Sequence, residues 1–204
     1  MPNNLATLSL QLSIKLRDTD HSVWNSTEKD DLVTWATDML FQDRPRAVQE
    51  IVVLADNDDQ YTLATVQDVF RIDILDSDDK MLMPLPRGTW ELWGDSQSPS
   101  QTLYVNPRYA KTDWTLRVHG YAPYDLTTNF PPNREVPLIL AEAAAEATRR
   151  VIHDRARFEQ WAHSNQIANI SVNELIQMAN EFEREAELLR NRLRIIHKPK
   201  PGRM

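Results

Sequence analysis

"VPLILAEAAAEATRRVIHDRARFEQW", Val136 to Trp161, is the stretch on which the fold turns. Pro137 suits the first turn of a helix, where its missing N–H would have had no partner in any case. Leu140, Ala144, Ala147, Val151, Phe158 and Trp161 then recur at helical spacing, interrupted only by Asp154. A second stripe holds Leu138, Ala141, Ala145, Thr148, Ile152 and Ala156. The spacing predicts one long helix that is buried from two directions, by the chain's own helices and sheet or by a neighbouring subunit. Its alanines keep the side-chain layer thin, so a neighbour can approach closely. The stretch carries no evident nucleophile, cofactor box or pair of metal ligands.

Beyond the loop "AHSNQIANIS", a further helix is predicted from Val172 to Arg194. Val172, Leu175, Ala179, Phe182, Ala186, Leu189, Leu193 and Ile196 alternate spacings of three and four, which makes a coiled-coil-type seam. Glu181 with Arg184, and Glu187 with Arg190, stand at i,i+3 for pairing on its wet side. Two prolines and a glycine within "HKPKPGRM" predict an extended tail, Ile195 to Met204.

Towards the N-terminus the pattern changes period. "VQEIVVL", "QYTL", "VFRIDIL", "KMLMPL", "TLYVN" and "WTLRVHGY" are rich in β-branched and aromatic residues and are separated by turn-forming segments. Strands with no helix between them imply an antiparallel sheet, twisted or folded over on itself. Leu116, Val118 and Gly120 point to one face, Arg117, His119 and Tyr121 to the other. Trp90 and Trp93, three apart, face opposite sides of a strand, which leaves one in the core and the other at a surface or interface. Before this region lie two more helices. The first runs from Leu5 to about Arg17, capped by Asn3 or Asn4, and the second begins at Thr27, with Asp30 three residues on, and stops near Asp43 ahead of Pro45.

The chain of 204 residues suits one domain, or a helical domain carrying an insertion. The predicted class is α+β, with a helical domain from 1–46 and 135–194, an inserted antiparallel β subdomain over 47–134, and the tail 195–204. No run approaches the roughly 18 apolar residues of a membrane span, and the N-terminus lacks the basic, then apolar, pattern of a secretory signal. With no cysteine, disulfides and thiolate metal sites are excluded. A formal charge of −7 disfavours gripping DNA over the whole surface. A local basic patch remains open at Arg149, Arg150, Arg155 and Arg157 in the long helix, whose alternative use is a salt-bridged or subunit-contact face.

Chemistry is sparse. The four glycines are too scattered to cradle a phosphate. His153 and His163 fall on different helical faces. "DNDDQYTLATVQ" and "DSDDKMLMPLPR" lack the glycine and the closing glutamate of a calcium loop, so both read as solvated turns. No cofactor, metal or catalytic residue is expected.

The order of elements resembles the head–tail adaptor (connector) proteins of tailed bacteriophages. The residues that carry the likeness are "STEKDDLVTWATDML", "QYTLATVQDVFRIDIL", "LYVNPRYAKTDWTLRVHGYAPYDL" and the returning "VPLILAEAAAEATRRVIHDRARFEQW", over about residues 26 to 194. The resemblance implies a structural ring of about twelve copies in the virion neck, assembled in the bacterial host cytoplasm. It implies as partners the portal protein above, a neighbouring neck, stopper or tail protein below, and DNA that passes through without sequence-specific binding. Carried onto this chain, the portal-binding segment is Ile195, Ile196, His197, Lys198, Pro199, Lys200, Pro201, Gly202, Arg203 and Met204. Ala144, Arg149, Arg150, Arg155 and Trp93 are expected at the subunit interface, and Asp76, Asp78 and Asp79 on a turn facing the channel. The competing expectation is a nucleic-acid-binding packaging protein that uses the arginines of the long helix.

Overall fold

The computed structural model describes residues 3–55, 58–94, 101–109, 114–164 and 171–196. The fold is α+β, with five helices and two antiparallel sheets among the described residues. The chain divides into two compact units, one from Met1–Asp43 with Tyr124–Met204 and one from Arg44–Pro123. No helix among the described residues is long and apolar enough to cross a membrane.

The helical unit is made by both ends of the chain. Its elements are α1 (Leu5–Lys15), α2 (Ser26–Asp43), α3 (Val136–His153), α4 (Arg155–Ser164) and α5 (Val172–Ile196). Asn4 caps α1 by accepting the Thr7 N–H at 2.9 Å. The far end of α1 closes with Arg17 in the left-handed region (φ 55°), while the Asp18 N–H reaches back to Ser13 O at 2.9 Å, a Schellman closure. The cap of α2 is two residues earlier than the expected Thr27 and Asp30. Asn25 accepts the Glu28 N–H at 2.9 Å and Glu28 accepts the Asn25 N–H at 3.0 Å, a reciprocal box that satisfies both ends of the turn.

The Schellman turn delivers Asp18 into the core. Its carboxylate accepts from Val23 N at 3.1 Å, Trp24 N at 3.2 Å and Lys29 Nζ at 2.8 Å, and both charged side chains are fully buried. Lys29 also donates to Asp18 O at 2.5 Å and lies 3.1 Å from His21 Nδ1. Burial alone would raise the Asp18 pKa. The hydrogen bonds from Lys29, Trp24 and Val23 outweigh it and hold the pKa below the usual carboxylate value.

The expected single helix from Val136 to Trp161 is two helices. Asp154 leaves the helical region (φ −119°, ψ 103°), and its carboxylate accepts the Ala156 and Arg157 N–H groups at 3.0 and 3.3 Å. An aspartate at that point therefore ends α3 and starts α4 by competing for backbone donors. Both predicted stripes of α3 are buried by the unit's own helices: α3 packs against α5, α2, α1 and α4. Ala141, Ala143, Ala144 and Ala147 are fully covered.

On α5 the seam holds at Leu175, Ala179, Ala186 and Leu193, but Val172 at its start is exposed. The helix continues through Ile196, so Ile195 and Ile196, expected in the extended tail, belong to α5. The passage from Tyr124 to Arg134, expected in the β insertion, belongs to the helical unit. Tyr124 and Leu126 join the helical core, and Asn3 Nδ2 donates to Pro131 O at 2.7 Å. Asp125 collects the Thr127, Thr128 and Asn129 N–H groups there. Its burial is slight and would raise the pKa, but the Asn129 and Thr128 hydrogen bonds lower it well below the carboxylate range.

The β unit holds two antiparallel sheets. In chain order its strands are β1 (Arg46–Val53), β2 (Gln60–Leu63), β3 (Asp68–Leu75), β4 (Met81–Pro84), β5 (Trp90–Trp93), β6 (Gln101–Val105) and β7 (Thr115–Ala122). One sheet has the order β1-β7-β3-β4 and the other β2-β6-β5. The core lies around Leu54, Leu63, Ile72, Ile74, Leu103, Val105, Leu116 and Val118. The predicted alternation of β7 is seen: Leu116, Val118, Gly120 and Ala122 are buried, and the residues between them are only partly covered. Gly120 is required by close approach, since a Cβ there would sit 2.3 Å from Asp68 O. Glu50 adds a buttress by accepting the Ala64, Thr65 and Val66 N–H groups at 2.8, 3.0 and 3.1 Å.

Candidate functional site

The arginines of α3 and α4 line a cleft of about 480 Å3 on the helical unit. Helical spacing puts Arg149 and Arg150 on the exposed side of α3, and the turn at Asp154 brings Arg157 back beside them. Each guanidinium already has a carboxylate. Arg150 Nε lies 3.0 Å from Glu146, Arg149 pairs with Glu183 of α5, and Arg157 pairs with Glu28 of α2 and, at 3.2 Å, with Asp154. Three arginines against Glu28, Glu146 and Asp154 make the lining balanced in charge. Such a surface has little excess positive potential for phosphates. A second charged groove follows α3 and α5, where Arg190 reaches across to Glu142 rather than serving only the expected pairing along its own helix.

The remaining expected interface residues separate. Ala144, expected at a subunit interface, is fully buried on α3, which packs against α5, α2 and α1 of the same chain. The side chain of Arg155 lies outside the described residues. Trp93 is 47% exposed and stacks on Tyr104 with ring centroids 5.3 Å apart, while Trp90 packs against the β core, as the spacing of three requires. The tryptophan and tyrosine form a flat apolar surface whose indole N–H donates to Glu91 at 3.2 Å.

The acidic turn joins β3 to β4. Asp76 is a structural turn residue: its carboxylate accepts the Asp78 and Lys80 N–H groups, each at 2.9 Å. Asp79 adopts φ 60°, and Asp78 points to solvent with Lys80 3.5 Å away. Of the segment expected to contact a portal, Ile195 and Ile196 are backbone positions of α5, and His197 to Met204 lie outside the described residues.

Two polar clusters were not legible in the sequence. One is the buried Asp18–Lys29 pair with His21. The other is Asp73, which is 4% exposed and accepts from Arg71 Nε at 2.7 Å with His119 Nε2 at 2.9 Å. The i,i+2 spacing of Arg71 and Asp73 on a strand was available as a signal, but bringing in His119 needs the β3–β7 register. Among the described residues no group of three or more His, Cys, Asp or Glu side chains is arranged to hold a metal.

No protein-family model matches the chain, and no curated protein matches it. Among solved structures the chain is similar to a chain of the neck of an empty GTA particle computed with C6 symmetry. That match has 14% identity and a TM-score of 0.33, over 75% of this chain and 87% of that one. It is also similar to a chain of the neck of a native GTA particle computed with C12 symmetry, with 16% identity and a TM-score of 0.31 over 79% and 94%.

Proposed function

We propose that this chain is a structural protein of the neck of a tailed phage or phage-like particle, a head–tail adaptor with no catalytic role. The observation that supports it is the order of elements: a helical unit built from both ends of the chain, interrupted by an antiparallel β unit. That is the layout implied by the connector-like motifs of the sequence. In this reading about twelve copies close head to tail into a ring beneath the portal. The ring extends the DNA channel, docks the next neck, stopper or tail protein, and lets DNA slide past acidic turns such as Asp76 to Asp79. Synthesis and assembly take place in the host cytoplasm. The segment after α5 carries Lys198, Lys200 and Arg203 among prolines and provides the portal contact, the prolines limiting the conformational entropy that binding would cost.

The packaging-protein alternative draws on the arginines of α3 and α4, and their ion pairs with Glu183, Glu146 and Glu28 weigh against it. The experiment that tests the proposal is co-sedimentation with purified portal rings. The full chain should sediment with the portal, and a chain ending at Arg194 should remain in the supernatant. A full chain that stays unbound contradicts the adaptor role, while equal binding by the truncation removes the tail from it.

A further inference from the structure

Each sheet of the β unit has an edge strand whose outer face sets apolar surface beside a charge without a partner. The inner faces of the two sheets close on one core, so their outer faces look away from each other. In the four-stranded sheet β1 lies at the edge, next to β7. Ile51 stands directly opposite Arg117, and Val53 opposite Thr115. Directly opposed residues share a face, and here it is the outer one, because Leu116 and Val118 on β7 fill the core. Ile51 and Val53 are 52% and 68% exposed. On the other side of Arg117, Asp73 is taken by Arg71 and His119, and among the described residues Arg117 forms no ion pair.

The three-stranded sheet shows the opposite sign. β5 lies at its edge, next to β6. Glu91 stands directly opposite Tyr104, and Trp93 opposite Thr102, while Leu103 and Val105 fill the core. Trp93 stacks on Tyr104 with the two ring planes inclined by only 7°. The indole N–H donates to Glu91, and among the described residues no cation reaches that carboxylate. An open indole face beside a free carboxylate is a receptor for a guanidinium, which stacks on the ring and pairs with the acid.

We propose that the outer β1–β7 face of one copy packs on the outer β5–β6 face of the next, with Arg117 held by Glu91 and Trp93. Ile51 and Val53 then lie against the Trp93–Tyr104 pair, so each copy covers the other's exposed apolar side chains. Tryptophan, tyrosine and arginine are the residues that most often carry the energy of an interface. The two faces differ and lie on opposite sides of the β unit. The contact is therefore head to tail, and it passes from copy to copy until the rotation closes a ring. Either face packed on itself would bring like charges together. A nucleic acid suits the β1–β7 face less well, because Asp68 and Asp73 of β3 stand opposite Tyr121 and Arg117 on it. This inference deepens the ring reading by naming the surfaces through which copies meet, and it is tested without a portal.

Sedimentation velocity of the free, full-length protein at low salt, over a range of concentrations, tests it. The unsubstituted chain should associate beyond a dimer, and R117E and E91R should each weaken that association at least about tenfold. Mixing the two single variants should restore it, and so should the double variant R117E/E91R, because in both cases every contact again joins opposite charges. Restoration also shows that the single variants are folded. An unsubstituted chain that stays monomeric up to about 1 mM overturns the proposal. So does association that stops at a dimer, or that both single variants leave unchanged, or that the mixture fails to restore. Monomers that bind a single-stranded oligonucleotide through Arg117 would assign the β1–β7 face to nucleic acid instead. Copies that associate as expected but never seat on a portal would overturn the neck reading and leave this contact standing. Rings that still form on portals from either single variant would do the reverse.

Discussion

The helical unit and the β unit deal with their apolar surface in opposite ways. In the helical unit α3 is covered on both predicted stripes, and its outward arginines are matched to glutamates of α2, α3 and α5. Its exposed apolar side chains sit at the periphery, chiefly Leu10 and Ile14 on α1 and Leu188 on α5. The β unit closes a core between its sheets but leaves Ile51, Val53, Met81, Leu82, Met83 and Trp93 in solvent. Helices satisfy their backbone internally, so a bundle can close on itself. A sheet that is not a barrel must end in edges, and those edges are where this molecule has binding capacity left over.

The sharpest way to break that contrast is to damage the closed unit from within. Lys29→Met strands the Asp18 carboxylate in the core without its counter-ion. It should cost about 3–5 kcal/mol of stability in denaturant titration. A loss below about 1 kcal/mol would mean that the pair is hydrated and the unit less closed than described. Ala144→Leu comes next. If α3 is enclosed by its own chain, the larger side chain should lower the stability of the dilute, unassembled protein by about 1–3 kcal/mol. Unchanged stability with impaired assembly would return Ala144 to a subunit interface.

Acid should act on the helical unit through two aspartates. Asp18 and Asp125 both have folded pKa values below the unfolded value of 3.8. Their contribution is complete above that unfolded value and is lost as the pH falls through the folded ones. Thermal melts should therefore show a stability plateau above about pH 5 and a decline below pH 4. Asp125→Asn, at the exposed turn, should flatten part of that decline, and an unchanged acid limb would remove Asp125 from the account. The smallest effect is expected at the surface arginines. Arg149→Ala and Arg150→Ala should each change stability by no more than about 1 kcal/mol. Neither should alter the salt dependence of any residual DNA binding, and a slope reduced by about one per arginine would revive the packaging alternative.

Much of this architecture could be read from periodicity. The change from a helical to an alternating pattern near Ala47 and back near Val136 marks the insertion, and β7 shows its two faces plainly. What failed to read was local competition. Asp154 fits the interior of an amphipathic stretch, and only its capture of the Ala156 and Arg157 amides turns it into a helix boundary. Tyr124 to Arg134 carries no periodicity, so its attachment to the helical core had no signal. The partners of Arg149, Arg157 and Arg190 lie on other helices, and side-chain spacing along one helix cannot find them. The open edge of β1 was hidden for the same reason: a strand sequence does not say whether it has one neighbour or two.

As proposed, this molecule joins a closed helical scaffold to an interactive β unit and assembles as a neck ring. Electron microscopy of the full-length protein mixed with portal rings tests it most directly. The expected result is a closed ring of this protein, cyclically symmetric about the portal axis, with adjacent copies touching and α3 enclosed within each copy. Isolated monomers beside bare portals, or rings whose subunits meet through α3, would contradict it.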